Sequence, residues 1–414
     1  MTRLLIISPD NVDTNMAGVG IRYWEISRAL VPYHQVTLAI PNETALRCPG
    51  LTLQTYDSEG NVLKGLAAAN DAIMVQGFVL YNFPFLVELG QPLIVDVYTP
   101  IILENLEVHT FRTMAARQKV HERDLQVVLD QLRRGDFFVC ANERQRDYWL
   151  GILSALGRLD PYNYQVDKSL RRLIDVVPFG LPEEPPQHSQ RVLKGMVPGI
   201  GESDRVILWG GGVWPWFDPL SLIEAMPQVV EAHPEARLLF WSRQHPNAEI
   251  SAVIGSGMHT RAVELSQELG LYQKAVFFHD QWVPYQERQD YLLEADVGVC
   301  LHQELAETRL AFRTRLMDYI WAGLPMVVSA GDSLSEVVEG SQLGKVVSCG
   351  DAGQIAHAIT GLLSLPDPRE AYRERFEAVR EQFTWMRAVQ PLLRFLESPQ
   401  RAADAITSAG RPGS

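Results

Sequence analysis

Short apolar runs alternate with longer amphipathic runs along almost the whole chain. Runs such as Leu4–Ser8 and Ala72–Gln76 are nearly all apolar, which is typical of strands buried on both faces. Between some of them lie stretches with helical spacing of apolar residues, such as Ile21–Val31. Because parallel strands need crossover connections, this alternation predicts an α/β protein with parallel sheets and helices on both faces.

The predicted strands form two groups, separated by residues 180–201, which are dense in Pro and Gly and fit no regular element. The first group is Leu4–Ser8, Gln35–Ile40, Leu51–Tyr56, Ala72–Gln76, Leu93–Tyr98, Phe137–Ala141 and Val176–Phe179. The second group is Val206–Trp209, Arg237–Trp241, Ala275–Phe278, Val297–Leu301, Met326–Ser329 and Lys345–Ser348. The sequence therefore predicts two doubly wound, Rossmann-like domains with one cleft at the carboxyl ends of their strands.

The predicted domain plan has five segments. The first domain takes residues 1–185, a linker 186–204 and the second domain 205–382. A helix over 383–398 is expected to pack back toward the first domain. Residues 399–414, rich in Ala, Gly and Ser, are expected to form a flexible tail.

Charge and cysteine content exclude several classes of function. The 414 residues carry 37 basic and 50 acidic side chains, a formal net charge of −13, which argues against nucleic acid as the main partner. The four cysteines form no Cys-x-x-Cys pair, so neither a disulfide framework nor a zinc site is indicated. The start of the chain is too polar for a signal peptide, and its longest apolar stretch is interrupted by polar residues. We expect a cytoplasmic protein with reduced thiols.

Two glycine turns are candidate ligand loops. Gly18 and Gly20 follow the first strand, and three glycines including Gly211 and Gly212 follow the first strand of the second domain. Such turns let the backbone approach a ligand, and their free N–H groups favour anions. A third glycine of the dinucleotide pattern is replaced by Tyr23, which disfavours NAD. The alternative for the first turn is a tight turn that serves packing. Trp214 follows the second turn, where its ring could form a wall for a sugar or base or could lie in the core.

The segment from Leu301 to Pro325 is the richest in candidate chemistry. Arginines at 309, 313 and 315 cluster near Glu307 and Asp318, with Thr314 between them, at the predicted start of a helix. Guanidinium groups at a helix N-terminus suit a diphosphate. The alternative is a solvated helix face. Because the chain contains no Asp-x-Asp pair, we expect arginines, backbone amides and helix dipoles to manage phosphate charge without a metal cofactor.

Four stretches together resemble the GT-B glycosyltransferases of family 4, which are retaining and metal-independent. They are the turn Gly18–Gly20, Leu293-Glu-Ala-Asp-Val-Gly-Val299, Asp318-Tyr-Ile-Trp-Ala-Gly-Leu-Pro-Met-Val-Val328 and Phe383-Thr-Trp385. The resemblance covers nearly the full length. It implies transfer of a sugar from a nucleoside diphosphate sugar to an acceptor hydroxyl, in a glycan, glycolipid or polysaccharide precursor that is lipid-linked in many relatives.

The sequence also departs from that family. The family's two glutamates, with seven residues between them, align with Leu310 and the shorter Asp318, and its Arg and Lys are missing from the loop 210–217. We therefore expect Arg313 and Arg315 to hold the diphosphate and Glu307 to take over the sugar contact.

The resemblance supplies further site candidates. In the first domain, Asp96 and Glu104 follow a strand where a group often meets the acceptor or the reacting carbon; a structural, hydrogen-bonded acid is the alternative for each. In the second domain, His279, Asp280 and Trp282 lie where the family recognises the base.

Three questions stay open at this level. The helix predicted over 111–134 has six basic and three acidic residues, which suits peripheral membrane contact or a solvated helix with i, i+4 pairs. A nucleotide-sugar epimerase or hydrolase of the same fold is one alternative function. A non-catalytic sugar- or nucleotide-binding relative is the other, favoured by Leu310 and the missing Arg and Lys.

Overall fold

The computed structural model describes residues 1–110, 112–241, 245–279 and 281–408. The chain divides into two compact units. The first contains residues 1–180 and the C-terminal residues from 385 onward, and the second contains residues 181–384. Each unit is built on one sheet whose strand pairs are all parallel.

The first unit has a seven-stranded sheet in the order β3-β2-β1-β4-β5-β6-β7. Its strands are β1 Arg3–Ile7, β2 Gln35–Ile40, β3 Leu51–Thr55, β4 Ala72–Gln76, β5 Leu93–Asp96, β6 Phe137–Cys140 and β7 Ile174–Val176. Its helices before the second unit are α1 Gly18–Leu30, α2 Asn61–Ala69, α3 Val79–Asn82, α4 Phe85–Glu88, α5 Ile101–Val108, α6 Met114–Arg134, α7 Glu143–Ala155 and α8 Pro161–Val166. The four residues Leu4–Ile7 are fully buried, as expected for a central strand covered by helices on both faces.

The second unit has a six-stranded sheet in the order β10-β9-β8-β11-β12-β13. Its strands are β8 Arg205–Trp209, β9 Ala236–Phe240, β10 Val276–Phe278, β11 Val297–Cys300, β12 Met326–Ser329 and β13 Gly344–Val347. Its helices are α9 Pro219–Ala232, α10 Ala248–Ile254, α11 Gly257–Glu268, α12 Arg288–Glu294, α13 Thr314–Ala322, α14 Ser333–Gly340, α15 Ala352–Leu363 and α16 Pro368–Arg380. The two parallel sheets confirm the predicted α/β class with two doubly wound units.

The segment predicted as a linker packs against the second unit. The backbone N–H and the hydroxyl of Ser189 donate to Asp290, at 2.6 and 2.8 Å. The backbone N–H groups of residues 192–194 donate to the carboxylate of Glu294 at 2.8–2.9 Å. Although it forms no helix or strand, this segment is held to α12 by buried and half-buried carboxylates.

The C-terminal segment returns to the first unit as α17 Trp385–Ala388, α18 Gln390–Leu396 and α19 Ala403–Ser408. The expectation of a flexible tail from residue 399 is wrong for residues 399–408. Asp136 is buried and accepts hydrogen bonds from Arg401 and from the backbone N–H of Ala402, both at 2.9 Å. Arg158 forms an ion pair with Asp404 in α19. Residues 409–414 lie outside the described part of the chain.

Two observations bear on the membrane question. Helix α6 carries exposed local pairs such as Arg133–Asp130 and Gln126–Asp130, in the manner of a solvated helix. Of the helices in the described ranges, none combines the length and the hydropathy that crossing a bilayer requires.

Candidate functional site

The glycine loop after β8 has a backbone that other residues could not adopt without rearrangement. Gly211 has φ = +98°, in the region that favours glycine. A Cβ on Gly212 would lie 2.0 Å from the Trp214 ring. The N–H of Gly210 donates to the Tyr319 hydroxyl at 2.9 Å, which ties the loop to α13. The loop is therefore positioned by the helix that carries the predicted arginines.

Arg315, in the first turn of α13, lies directly beneath this loop. Its Nη2 donates to the carbonyl of Gly212 at 2.7 Å, and its guanidinium stacks 4.1 Å from the Phe217 ring centroid and 4.6 Å from that of Trp209. Only 7% of the residue is exposed, and its Nη1 has no hydrogen-bond partner among the described residues. Burial lowers the pKa of the Arg315 guanidinium. A buried cation without a carboxylate favours an anionic ligand.

Arg313, two residues earlier, is in the opposite situation. Its Nη1 and Nη2 contact the two carboxylate oxygens of Glu307 at 3.1 and 2.6 Å, and both side chains are buried. Burial disfavours the charge, but Glu307 outweighs it and raises the pKa of Arg313. The expected sugar contact of Glu307 therefore meets a physical obstacle, since each of its oxygens already accepts from Arg313. Thr314, half-buried, is the first residue of α13.

Asp318 is also engaged by an arginine. Its Oδ1 accepts from Nε of Arg288 in α12 at 2.9 Å, and a quarter of its side chain remains exposed. The Arg288 guanidinium stacks on the Tyr285 and Trp321 rings, at 3.7 and 4.5 Å. The carboxylate that aligns with the family's second glutamate is thus held in place from one side.

Two predicted site residues, Trp214 and Trp282, lie on either side of the His245 ring. The rings of Trp214 and His245 have centroids 6.0 Å apart, and those of His245 and Trp282 are also 6.0 Å apart. Both tryptophans are half-buried, so their faces are partly accessible. His279 is half-buried after β10, with Nδ1 3.0 Å from the carbonyl of Gln281. Asp280 lies outside the described residues.

In the first unit, Gly20 has a packing role, and Gly18 and Glu104 lie at the starts of helices. A Cβ on Gly20 would lie 2.2 Å from the carbonyl oxygen of Asn11, so this glycine allows α1 to approach the preceding loop. Gly18 is the half-buried first residue of α1. Glu104 is half-buried in the first turn of α5.

Asp96, predicted as catalytic, forms a closed ion pair instead. Its two carboxylate oxygens accept from Nε and Nη2 of Arg22 at 2.7 and 3.1 Å, and neither side chain has exposed area. Arg22 also donates to the carbonyl of Pro178 at 3.1 Å. Burial disfavours the charge on Arg22, but Asp96 raises the pKa of its guanidinium. The geometry corrects the expectation toward the structural alternative for Asp96, because both oxygens are occupied and hidden from solvent.

Sequence reasoning missed a second buried pair in the second unit. Nε2 of His302, which follows β11, lies 3.2 Å from Oδ2 of Asp332, which follows β12, and both side chains are buried. Burial disfavours the imidazolium, but the hydrogen bond with Asp332 raises the pKa of His302 to about 9. The signal was present as a polar residue within three positions of the end of each of two adjacent buried strands.

Acidic, cysteine and histidine side chains do not otherwise gather around a metal position. In the part of the chain that the structure describes, no group of three or more such residues has the arrangement to hold a metal ion. The charges in this region come from arginines.

Residues 204–365 match the family model for glycosyl transferases group 1, which includes the glycine loop, Arg313 and Arg315. The chain is 26% identical over 214 residues to spore coat protein SA of Bacillus subtilis (strain 168). That match covers 50% of this chain and 53% of the relative, so it spans about half the length of each.

Solved structures resemble the chain over nearly its whole length. Sucrose-phosphate synthase from Thermosynechococcus elongatus has a TM-score of 0.65 and 17% identity, covering 99% of this chain and 100% of that one. The Anabaena protein HepE, solved in complex with UDP-glucose, has a TM-score of 0.60 and 12% identity, covering 96% of this chain and 100% of that one. At these identities the likeness shows the fold. Together with the matched domain, it shows a chain of GT-B fold whose second unit contains a glycosyl transferases group 1 domain.

Proposed function

We propose that the protein transfers a sugar from a nucleoside diphosphate sugar to an acceptor hydroxyl with retention of the anomeric configuration, and that it needs no metal ion. The acceptor belongs to a glycan, glycolipid or polysaccharide precursor. The second unit holds the donor.

The observation that carries this proposal is the uncompensated charge of Arg315. A diphosphate placed between the glycine loop and the start of α13 would accept a hydrogen bond from the free Nη1 of Arg315. Its negative charge would also offset the cost of burying the guanidinium charge. The N-terminus of α13 and the exposed backbone of a glycine loop add partial positive charge at the same place. Stabilising the leaving diphosphate is the main electrostatic demand of sugar transfer, and Arg315 meets it without a metal.

Two further features support a nucleotide sugar as the donor. The half-buried faces of Trp214 and Trp282 suit stacking with a base or a sugar ring. Among proteins of similar fold, HepE has been solved with UDP and with UDP-glucose. We take a uridine diphosphate sugar as the first donor to test.

Nucleotide binding is the first test. The protein is titrated calorimetrically, with EDTA and then with Mg²⁺, against UDP, GDP, ADP, CDP and dTDP. We expect one base to bind with EDTA present, and at ~100 times its dissociation constant to raise the free energy of unfolding by about 2.7 kcal/mol. Absence of binding to every diphosphate would overturn the donor proposal and favour a non-catalytic relative.

The role of Arg315 is tested with Arg315→Met and a matched control, Arg309→Met, which removes an exposed charge from the same segment. We expect Arg315→Met to weaken diphosphate binding on the order of 10- to 100-fold, the range for one charge-assisted hydrogen bond. Arg309→Met is expected to bind within about threefold of the unaltered protein. Equal effects of the two substitutions would remove Arg315 from its assigned role.

Turnover separates transfer from the alternatives. Proton NMR follows the anomeric signal of the donor sugar with and without a panel of acceptors. A product with the donor's anomeric configuration, formed only with acceptor, is expected. Steady loss of donor without acceptor would instead identify a hydrolase or an epimerase.

A further inference from the structure

Three chemically active side chains meet at one edge of the second sheet. His302 follows β11, Asp332 follows β12 and Cys349 follows β13, and these three strands are neighbours in the sheet. Because parallel strands end at the same edge, the topology brings the three residues together. Nε2 of His302 lies 3.2 Å from Oδ2 of Asp332, and its Nδ1 lies 3.9 Å from Sγ of Cys349. The order is thiol, imidazole and carboxylate.

The imidazole is fixed and held in its charged form. Asp332 is anchored because its Oδ1 accepts from the backbone N–H groups of Leu334 and Ser335, both at 2.7 Å. On the other side of the ring, Nδ1 also lies 3.2 Å from the carbonyl oxygen of Gln303. An acceptor at each nitrogen favours an imidazolium with two N–H donors, in agreement with a His302 pKa raised to about 9 against the cost of burial.

Cys349 differs from the other three cysteines in its surroundings. Cys140 and Cys300 are buried, and burial raises the pKa of each thiol, to about 11 for Cys300. Cys48 is half-buried like Cys349, and each contacts a carbonyl, of Pro49 at 3.7 Å and of Ala330 at 3.6 Å, but only Cys349 is also described beside an imidazole. Among the described residues, Cys349 alone combines partial exposure with a neighbouring imidazolium.

We propose that Cys349 is a modification site whose thiol undergoes exchange with a low-molecular-weight disulfide such as oxidised glutathione. Sγ attacks one sulfur of the disulfide, so that a new S–S bond forms as the old S–S bond breaks. The departing thiolate takes up the proton that the Cys349 thiol gave up. Cys349 is thereby oxidised to a mixed disulfide, and half of the small disulfide is reduced to a thiol. The His302 imidazolium stabilises negative charge on the attacking sulfur, and Asp332 holds the ring in place.

The same network connects Cys349 to the candidate donor site. The carbonyl oxygen of Gln303, which contacts His302, also accepts a hydrogen bond from the Thr308 hydroxyl at 2.9 Å. Nε2 of Gln303 donates to the carbonyl of Pro215 at 3.0 Å, within the loop that carries Trp214. A glutathionyl group beside His302 displaces this ring and loosens both loops. Resting on the proposed function, we infer that modification of Cys349 weakens nucleoside diphosphate binding.

The thiol exchange is tested on the full chain with 5,5′-dithiobis(2-nitrobenzoate) at pH 7. Cys48→Ser leaves Cys349 as the accessible thiol, and Cys349→Ser leaves Cys48 as the matched control. We expect Cys349 to react on the order of tenfold faster than Cys48 in the folded protein. In guanidinium, where His302 is remote, the two rates are expected to converge. A folded Cys349 that reacts no faster than folded Cys48 would overturn the proposal.

The part played by the imidazolium is tested with His302→Gln in the Cys48→Ser background. The Cys349 rate is expected to fall to that of Cys48, and an unchanged rate would overturn the assigned role of His302. If circular dichroism shows that this variant does not fold, the test is the ratio of the folded to the unfolded labelling rate in the two single-cysteine variants. A ratio for Cys349 below that for Cys48 would overturn the proposal.

Regulation is measured separately from reactivity. Protein treated with oxidised glutathione is titrated with the diphosphate that the unmodified protein binds, and Cys349→Ser treated in the same way is the control. We expect weaker binding only when Cys349 is modified, with recovery after dithiothreitol. Unchanged affinity of the modified protein would overturn the link to the donor site. If no diphosphate binds the unmodified protein, the proposed function fails while the labelling rates still decide the thiol chemistry.

Discussion

Each unit buries an arginine against aromatic rings near the carboxyl ends of its strands, and the two arginines differ in one respect. In the first unit, Arg22 lies 4.5 Å from the Tyr98 ring centroid and forms a two-point ion pair with Asp96. In the second unit, Arg315 lies over Trp209 and Phe217, and within the described ranges no carboxylate forms an ion pair with it. The first charge is balanced inside the protein, and the second is not.

The difference is the one expected between a structural charge and the ligand-binding charge that we propose for Arg315. Taking an ion out of water costs several kcal/mol, which a partner with good geometry offsets. Asp96 offsets that cost for Arg22, so the pair holds α1 to β5 with nothing else bound. Arg315 keeps the cost in the free protein, and an anionic ligand removes it. In a site of this kind, part of the free energy of binding comes from relieving the cost of a buried charge in the unliganded protein.

The largest expected effect comes from breaking the closed pair. Arg22→Met leaves the fully buried carboxylate of Asp96 without its partner, and we expect the free energy of unfolding to fall by about 3–5 kcal/mol. Urea denaturation followed by circular dichroism measures the loss. The double variant Arg22→Met, Asp96→Leu removes both charges and should recover most of it. A single-variant loss below about 1 kcal/mol would show that the pair contributes little to stability.

A smaller effect on the free energy of unfolding is expected from the His302–Asp332 pair, whose charge state depends on pH. His302 faces Asp332, Cys349 and the charge of Arg313, and its pKa in the folded state is about 9. The unfolded value is about 6.5, so its stabilisation is fully present below pH ~6.5 and is lost as the pH rises toward 9. We expect the unaltered protein to lose up to about 3 kcal/mol over this range, relative to His302→Gln. Urea unfolding at pH 6 to pH 9.5 measures both proteins, and parallel profiles would contradict the prediction.

The strands were predictable because each is determined by a short run of apolar residues in the sequence. All thirteen strands of the described chain coincide or overlap with apolar runs read from the sequence. One prediction was displaced: the run Val176–Phe179 was expected, and β7 is Ile174–Val176. Pro178 lacks an N–H for the ladder, and Asp175 lies within the strand despite its charge because Arg171 and Arg394 bind it.

The roles of the charged residues were not predictable, because their partners are distant in the chain or set by loop geometry. Asp96 meets Arg22 across 74 residues, and His302 meets Asp332 across 30. Glu307 and Arg313 are only six residues apart, but the turn between them decides that they face each other. The sequence located the arginine cluster and could not show which arginine was neutralised. The predicted catalytic or donor-binding roles of Glu104, Thr314 and Asp318 stay predictions.

The smallest effect on stability is expected for Arg315, a buried arginine without a carboxylate partner among the described residues. Arg315→Met removes a buried charge that has no carboxylate partner, and Met fills a similar space against Trp209 and Phe217. We expect the free energy of unfolding of the unliganded protein to stay within about 1 kcal/mol or to rise, because the lost stacking is offset by the removed desolvation cost. The same urea titration measures it, with Arg22→Met as the opposite case. A fall of about 3 kcal/mol or more would mean that Arg315 is balanced within the fold as Arg22 is, and the charge would then offer no advantage to an incoming diphosphate.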